Sequence, residues 1–181
     1  LGLIHAAPAQ AASSTSQQVK AIQKRGVLNV GVKQDVPNFG YLNPDSNTYS
    51  GLEIDIAKKI AKELGVKINY VPVTAQTRGP LLDNGQVDMV IATFTITDER
   101  KEIYNFTTPY YTDASGFLVN KSSKITDVKD LNNKTIGVVQ GSITQTLLEE
   151  IAQEKKLNFK YVELGSYPEL AVSLRAHRID A

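Results

Sequence analysis

Cysteine is absent from this 181-residue chain, which excludes disulfides and thiolate metal sites and leaves the redox state of its compartment open. Only two histidines occur, His5 and His177, too far apart in sequence to form a local ligand pair, so neither a metal nor a cofactor is expected. Charge of one sign is also lacking. Twenty Lys and Arg against 19 Asp and Glu leave a formal charge of +1, without the basic excess of a nucleic-acid groove, and a small ligand suits the chain better. No run approaches the roughly 20 apolar residues that span a bilayer. Residues 1–18, rich in Ala, Ser and Gln, have no basic n-region and no long apolar region, and are read as standing outside the fold.

A hydrophobic content of 41% suffices for one good core or two small ones. From Val27 the pattern is β-loop-α. Val27 to Val32 is a β-branched run, and Pro37, Asn38, Gly40, Asn43, Pro44, Asp45 and Asn47 supply loop chemistry. Over Leu52 to Leu64 the residues Leu52, Ile56, Ile60 and Leu64 recur every four positions, widened by Ile54, Ala57 and Ala61, and Gly65 stops the helix. A strand is predicted over Ile68 to Val73, a short helix over Arg78 to Asn84 and a buried strand over Val87 to Ala92. This β-α-β-α-β order implies a parallel sheet in an α/β fold, with ligands bound beyond the carboxyl ends of its strands, at Lys33 to Gly40 and Thr93 to Arg100.

Ser115 to Asn120 reads as a further strand that carries the chain across to a second unit. There Val128 to Leu131, Thr135 to Val139, Thr144 to Lys155 and Phe159 to Leu164 repeat an α-β-α-β pattern, followed by a helix over Ala171 to Ala176 and a strand beginning at Ile179. The expected division is a tail and lead-in over residues 1–24, a first lobe over 25–114, a crossing at 115–120 and a second lobe over 121–181. The two lobes share an order of elements and no short repeat. A sheet that stops at Ala181 leaves an unpaired edge, so the second lobe is expected to be incomplete.

The richest chemistry lies in Thr93-Phe94-Thr95-Ile96-Thr97-Asp98-Glu99-Arg100. A guanidinium there can grip a carboxylate through two parallel bonds while hydroxyls and backbone groups complete the shell. The plainer reading is a Thr-rich helix cap with Arg100 in a surface ion pair, and composition leaves both open. In the second unit, Gln140-Gly141-Ser142-Ile143-Thr144 follows a strand and opens a helix, where free backbone N–H groups can receive an anion.

Gly51-Leu52-Glu53-Ile54-Asp55-Ile56-Ala57, Ala92 to Arg100 and Phe106-Thr107-Thr108-Pro109-Tyr110-Tyr111 resemble the signatures of the polar amino-acid-binding proteins of ABC importers, solute-binding protein family 3. The resemblance runs in the family's order from about Gly26 to Arg178-Ile179-Asp180-Ala181. It implies the two-lobe fold of type 2 periplasmic binding proteins, an extracytoplasmic location reached by a signal peptide or held by a lipid anchor, and permease and ATPase subunits as partners. Lys33-Gln34-Asp35-Val36-Pro37 and Thr77 to Gly85 are similar to the aspartate/glutamate-binding branch.

That likeness implies that Arg100 holds the α-carboxylate of a free amino acid, Thr95 and the backbone near Thr93 complete the shell of the α-groups, and Arg78 and Lys33 face a side-chain carboxylate. An acidic side chain needs such positive charge to offset its desolvation. Read without the family, Lys33 is a solvated strand-end lysine and Arg78 a helix-surface cation. The likeness also brings Ser142, Thr144 and Tyr167 to the ligand as the lobes close, and places Phe39 and Phe94 beside its aliphatic part or in ordinary packing. Tyr110 and Tyr111 are expected to support the hinge. The family's aspartate for the α-ammonium falls a few residues beyond Ala181, and Asp180 belongs to the element before it.

Glutamine, cystine or another polar amino acid stands as the alternative ligand. A sensor built from the same lobes is a further reading. A dehydratase-like enzyme is the rival class, drawn from Glu53 and Asp55, which read more simply as the solvated face of a helix. No nucleophile with a paired base is visible, so no catalysis is expected.

Overall fold

In the computed structural model the described residues are 11–181, with side chains described from residue 17. The part of the expected tail at residues 1–10 lies outside them. Residues 11–25 are helical. They form helix α1 (Ala11–Arg25), whose Ile22 packs on the first hydrophobic cluster and whose Gln23 Nε2 donates to the Leu64 carbonyl at 3.1 Å. The physical reason is that a β-branched residue one helical turn before the first strand finds apolar partners beside it.

The first lobe is a parallel sheet of β1 (Val27–Val32), β5 (Lys67–Pro72) and β6 (Met89–Ile91), in the order β5-β1-β6. Helix α2 (Leu52–Leu64) and the short α3 (Arg78–Asp83) make the crossovers. Between β1 and α2 the segment predicted as loop forms a small antiparallel sheet of β2 (Asp35–Val36), β3 (Gly40–Asn43) and β4 (Thr48–Ser50). Its turn residues were legible, and the short strands between them were too polar to register as periodic.

Leu28, Val30 and Val32 of β1 and Ile91 of β6 meet Ile54, Ala57 and Ala61 of α2 in one buried cluster. The centre of the α2 face is therefore the set that appeared to widen it. Leu52 is exposed, and Ile56, Ile60 and Leu64 lie at the margin. Glu53, expected on the solvated face, is instead fully buried, while Asp55 is exposed and 3.9 Å from Lys58.

Helix α4 (Asp98–Ile103) follows β6, and the chain then runs without regular structure through residues 112–120. The strand predicted over Ser115 to Asn120 does not form. Its alternation of apolar side chains is real, but a strand needs a partner for its N–H and C=O groups, and no described strand lies beside it.

The second lobe pairs β7 (Thr135–Val139) with β8 (Lys160–Leu164) in parallel, with α5 (Thr144–Lys155) as crossover and α6 (Tyr167–Arg175) after β8. A 3₁₀ turn, Val128–Leu131, leads in. Leu131, Ile136, Val138, Leu148 and Phe159 form its core. Helix α6 starts four residues before its predicted start because Ser166 and Glu169 form a capping box around Pro168, a signal present in the sequence and not used there. Ile179 to Ala181 form no assigned strand, yet Asp180 N donates to Thr135 O at 2.8 Å and Gly137 N to Ala181 O at 2.9 Å, so they lie along β7.

The two lobes repeat more than an order of elements. In each, a helix ends on a left-handed residue, Gly85 (φ 75°) or His177 (φ 56°), and an apolar residue and an aspartate follow. The aspartate then clamps one residue of the first strand through both its N–H and its C=O. Asp88 N donates to Asn29 O and its carboxylate accepts from Asn29 N, each at 2.8 Å; Asp180 treats Thr135 in the same way at 2.8 and 2.8 Å.

Candidate ligand cleft

Every predicted ligand residue of the first lobe lies beyond a strand's carboxyl end or on the helix that follows it. Lys33 follows β1, Arg78 opens α3 after β5, and Thr93, Phe94, Thr95 and Arg100 follow β6. In a β5-β1-β6 sheet the strand order reverses between β1 and β6, the place where open parallel sheets leave a crevice.

Arg78 and Arg100 come together there. Their guanidinium carbons lie 4.3 and 4.8 Å from the centre of the Phe94 ring, which presents the negative face of its π-system to both cations. Arg78 is 3% exposed, and its Nη1 donates to the carbonyls of Ala92 (2.8 Å) and Thr93 (2.9 Å). Burial first, and the Arg100 charge second, pull its pKa below the usual guanidinium range, to about 10. Arg78 remains a cation at neutral pH, and the gap amounts to roughly 3 kcal/mol set against the charged form. Burial likewise lowers the pKa of the more accessible Arg100.

Such a penalty is relieved by an anion. Arg78 Nε is buried with no hydrogen-bond partner among the described residues, which leaves a donor for one. Arg100 Nη1 donates to Thr95 O at 2.8 Å, so Thr95 meets the cluster through its backbone. Thr97 caps α4 by accepting from Arg100 N at 3.1 Å. Of the two readings of the threonine run, Thr97 supplies the cap, and Arg100 donates to backbone carbonyls instead of forming an ion pair among the described residues.

Lys33 is 2% exposed, not solvated, and its Nζ lies 3.1 Å from Asp35 Oδ1. That oxygen has no aligned hydrogen-bond donor among the described residues, so the pair is held by charge and not by a directed bond. Phe39 packs edge-on against Tyr111 at 4.9 Å. Tyr110 donates its hydroxyl to Glu53 Oε1 at 2.7 Å, and both tyrosines thus fasten the chain leaving the first lobe back onto it. Glu53 was missed as a cleft residue. Its signal was present, since a carboxylate inside the apolar stripe of α2 departs from a solvated face.

The second lobe meets this cluster with backbone. Gly141, just after β7, offers its carbonyl to Arg100 Nη2 at 3.1 Å and to Arg78 Nη2 at 3.5 Å. Its φ is 80°, and an added Cβ would come within 2.8 Å of Ala75 O and of the Gln76 backbone, so only glycine fits this seat. Ser142 Oγ donates to Val139 O at 2.6 Å and so serves the turn, and Thr144 opens α5. Tyr167, at the start of α6 and half exposed, lies near Arg78. A surface concavity of about 450 Å³, lined by Ile96, Lys101, Tyr104, Asn105, Phe106, Thr107 and Pro109, contains none of the predicted ligand residues. None of its lining residues is buried, so it holds no desolvated charge of the kind that marks Arg78.

The sequence profile of the bacterial extracellular solute-binding proteins, family 3, matches residues 28–145. A glutamine-binding protein of Geobacillus stearothermophilus is 38% identical over 93% of this chain and 64% of its own length. The L-cystine-binding protein of Escherichia coli strain K12 is 33% identical over 88% of this chain and 59% of its own. The solved structure of an ancestral amino-acid-binding protein, a precursor of cyclohexadienyl dehydratase, superposes with a TM-score of 0.81 at 33% identity, covering 90% of this chain and 71% of that one. The chain thus spans just under two thirds of the length of these curated relatives. The α/β arrangement is that of type 2 periplasmic binding proteins. With its charged residues beyond the strand ends and a profile match over most of its length, the chain belongs to the bacterial extracellular solute-binding proteins, family 3.

Proposed function

We propose that this chain is the ligand-binding portion of an extracytoplasmic binding protein of an amino-acid ABC importer, that it takes glutamate or aspartate between its lobes, and that it delivers the ligand to permease and ATPase subunits. One observation carries the acidic preference. Arg78 is buried with an unpartnered Nε and shares the Phe94 ring with Arg100, so the cleft concentrates positive charge that an acidic amino acid offsets with its second carboxylate. In this reading Arg100 receives the α-carboxylate and Arg78 the side-chain carboxylate. Thr93 and Thr95 complete the α-group shell, Lys33 adds to the field, and Phe39 and Phe94 border the methylene carbons. Gly141, Ser142, Thr144 and Tyr167 close over the ligand from the second lobe, and contacts from both lobes favour the closed state that the permease reads.

Lys33 supports glutamine as a second reading, because Asp35 already balances its charge and leaves less of it for a side-chain carboxylate. A cationic side chain suits neither reading, since it meets Arg78 with like charge. The function is binding without turnover, in which the free energy of a charge-matched ligand shifts a conformational population.

Calorimetric titration of glutamate, aspartate, glutamine, cystine and arginine into the chain tests this. Binding of glutamate or aspartate at least about tenfold tighter than glutamine supports the acidic assignment, a difference of about 1.4 kcal/mol. Tighter glutamine establishes the second reading, and chemical change in the recovered ligand overturns the assignment as a binding protein.

A further inference from the structure

Glu53 sits on the first turn of α2, fully buried, and it is one of three buried charged residues among those described. Its Oε1 accepts two hydrogen bonds, from Thr93 N at 2.6 Å and from the Tyr110 hydroxyl at 2.7 Å. Neither belongs to its own helix. Thr93 has a φ of 48°, the left-handed conformation that a β-branched residue adopts at a cost of about 1–2 kcal/mol. A hydrogen bond to a charged group, at about 1.5–3 kcal/mol, is large enough to hold it there.

The left-handed residue has a direct geometric result. Along an extended strand successive carbonyls point to opposite sides, yet those of Ala92 and Thr93 both reach Arg78 Nη1, at 2.8 and 2.9 Å. A departure from the extended strand brings the two consecutive carbonyls onto one nitrogen, and left-handed Thr93 supplies it here. The chain from Glu53 to Thr93 to Arg78 is therefore continuous, and Tyr110, just before the segment that crosses between the lobes, is joined to its first member.

We propose that Glu53 is a positioning residue of the cleft, which fixes Thr93 in its left-handed conformation so that the Ala92 and Thr93 carbonyls aim the Arg78 guanidinium at the ligand, and that Tyr110 ties this hold to the crossing segment. The role in ligand affinity rests on the amino-acid-binding reading above, whereas the backbone hold does not. The Glu53 carboxylate also lies close enough to favour the charged form of Arg78, in the same direction as its geometric role.

Glu53→Gln, Glu53→Leu and Tyr110→Phe separate the elements. Glutamine keeps an oxygen that accepts from both Thr93 N and Tyr110, leucine removes it, and phenylalanine removes one donor. Glutamate affinity is read by calorimetry, and the Thr93 amide and Arg78 Nε–H resonances by NMR without added ligand. The expected result is affinity within about threefold for Glu53→Gln, about thirtyfold weaker for Glu53→Leu and about fivefold weaker for Tyr110→Phe, as loss of one or two hydrogen bonds implies. The Thr93 and Arg78 resonances should move in Glu53→Leu and Tyr110→Phe and stay near the parent position in Glu53→Gln.

Wild-type affinity in a folded Glu53→Leu chain overturns the proposal, as does lost affinity with both resonances unmoved. Should Glu53→Leu not fold, Tyr110→Phe decides, and unchanged affinity with an unchanged Arg78 resonance in it overturns the proposal equally. If the parent chain binds none of the amino acids, the resonances still test the hold on Arg78, and its success there would leave only the ligand assignment at fault.

Discussion

The two lobes are built alike and equipped differently. Each holds its first strand with the same device, a helix closed by a left-handed residue and followed by an aspartate that bonds both the N–H and the C=O of one strand residue, Asp88 on Asn29 and Asp180 on Thr135. At the opposite, carboxyl ends of the strands the likeness stops. Lys33, Glu53 and Arg78, the buried charged residues among those described, all belong to the first lobe. The second lobe answers them with the carbonyl of Gly141 and with hydroxyls used in its own turn. What the difference teaches is that a scaffold can be repeated while its charges are not. One lobe keeps costly buried cations, and the other supplies a backbone carbonyl to meet them.

Moving the cation should break this asymmetry most sharply. Arg78→Met is expected to weaken glutamate binding by about a hundredfold or more, because a buried charged hydrogen-bonding partner is lost, while the melting temperature without ligand holds or rises as the roughly 3 kcal/mol burial penalty disappears. Ser142→Ala, at the matching end of the second lobe, should change affinity by less than about threefold, since its hydroxyl serves Val139. Comparable losses in the two variants, read by calorimetry and thermal melts, would show that the charge is not one-sided.

The shared device offers a finer comparison. Asp88→Ala should cost more stability than Asp180→Ala, about 3 against 2 kcal/mol in urea unfolding, because Asp88 also pairs with Arg25 of α1. Equal losses would mean that α1 adds nothing to the first clamp. Smallest of all, His177→Gly should gain about 0.5 kcal/mol by relieving a left-handed histidine, offset in part by glycine's greater unfolded-state entropy and by the loss of the 3.4 Å approach of Asn120. Gly85→Ala should lose about 1 kcal/mol at the equivalent place.

The α/β order, the α2 helix with its stop at Gly65 and the strands at Val27 and Thr135 were legible because period and punctuation are local properties of the chain. Arg78 and Arg100 were legible as candidates through residue type and family likeness. The strand expected at Ser115 to Asn120 failed for the opposite reason, since alternation marks a willingness to pair and says nothing of whether a partner is present. Glu53 was placed in solvent because helical phase was judged from the strongest apolar repeat. The true face, centred on Ile54, Ala57 and Ala61, is set by what β1 and β6 present to it.

The sequence by itself determined the elements, their order and the residue types available to hold an amino acid, because these follow from side-chain chemistry and short-range sterics. Only the tertiary structure decided that the Arg78 charge is buried, that Phe94 carries two guanidiniums, that Glu53 holds a strained Thr93 and that Gly141 is one point where the lobes touch. Each of these depends on desolvation and on contacts between residues 14 to 63 positions apart, and such energies arise only when the sheet is assembled.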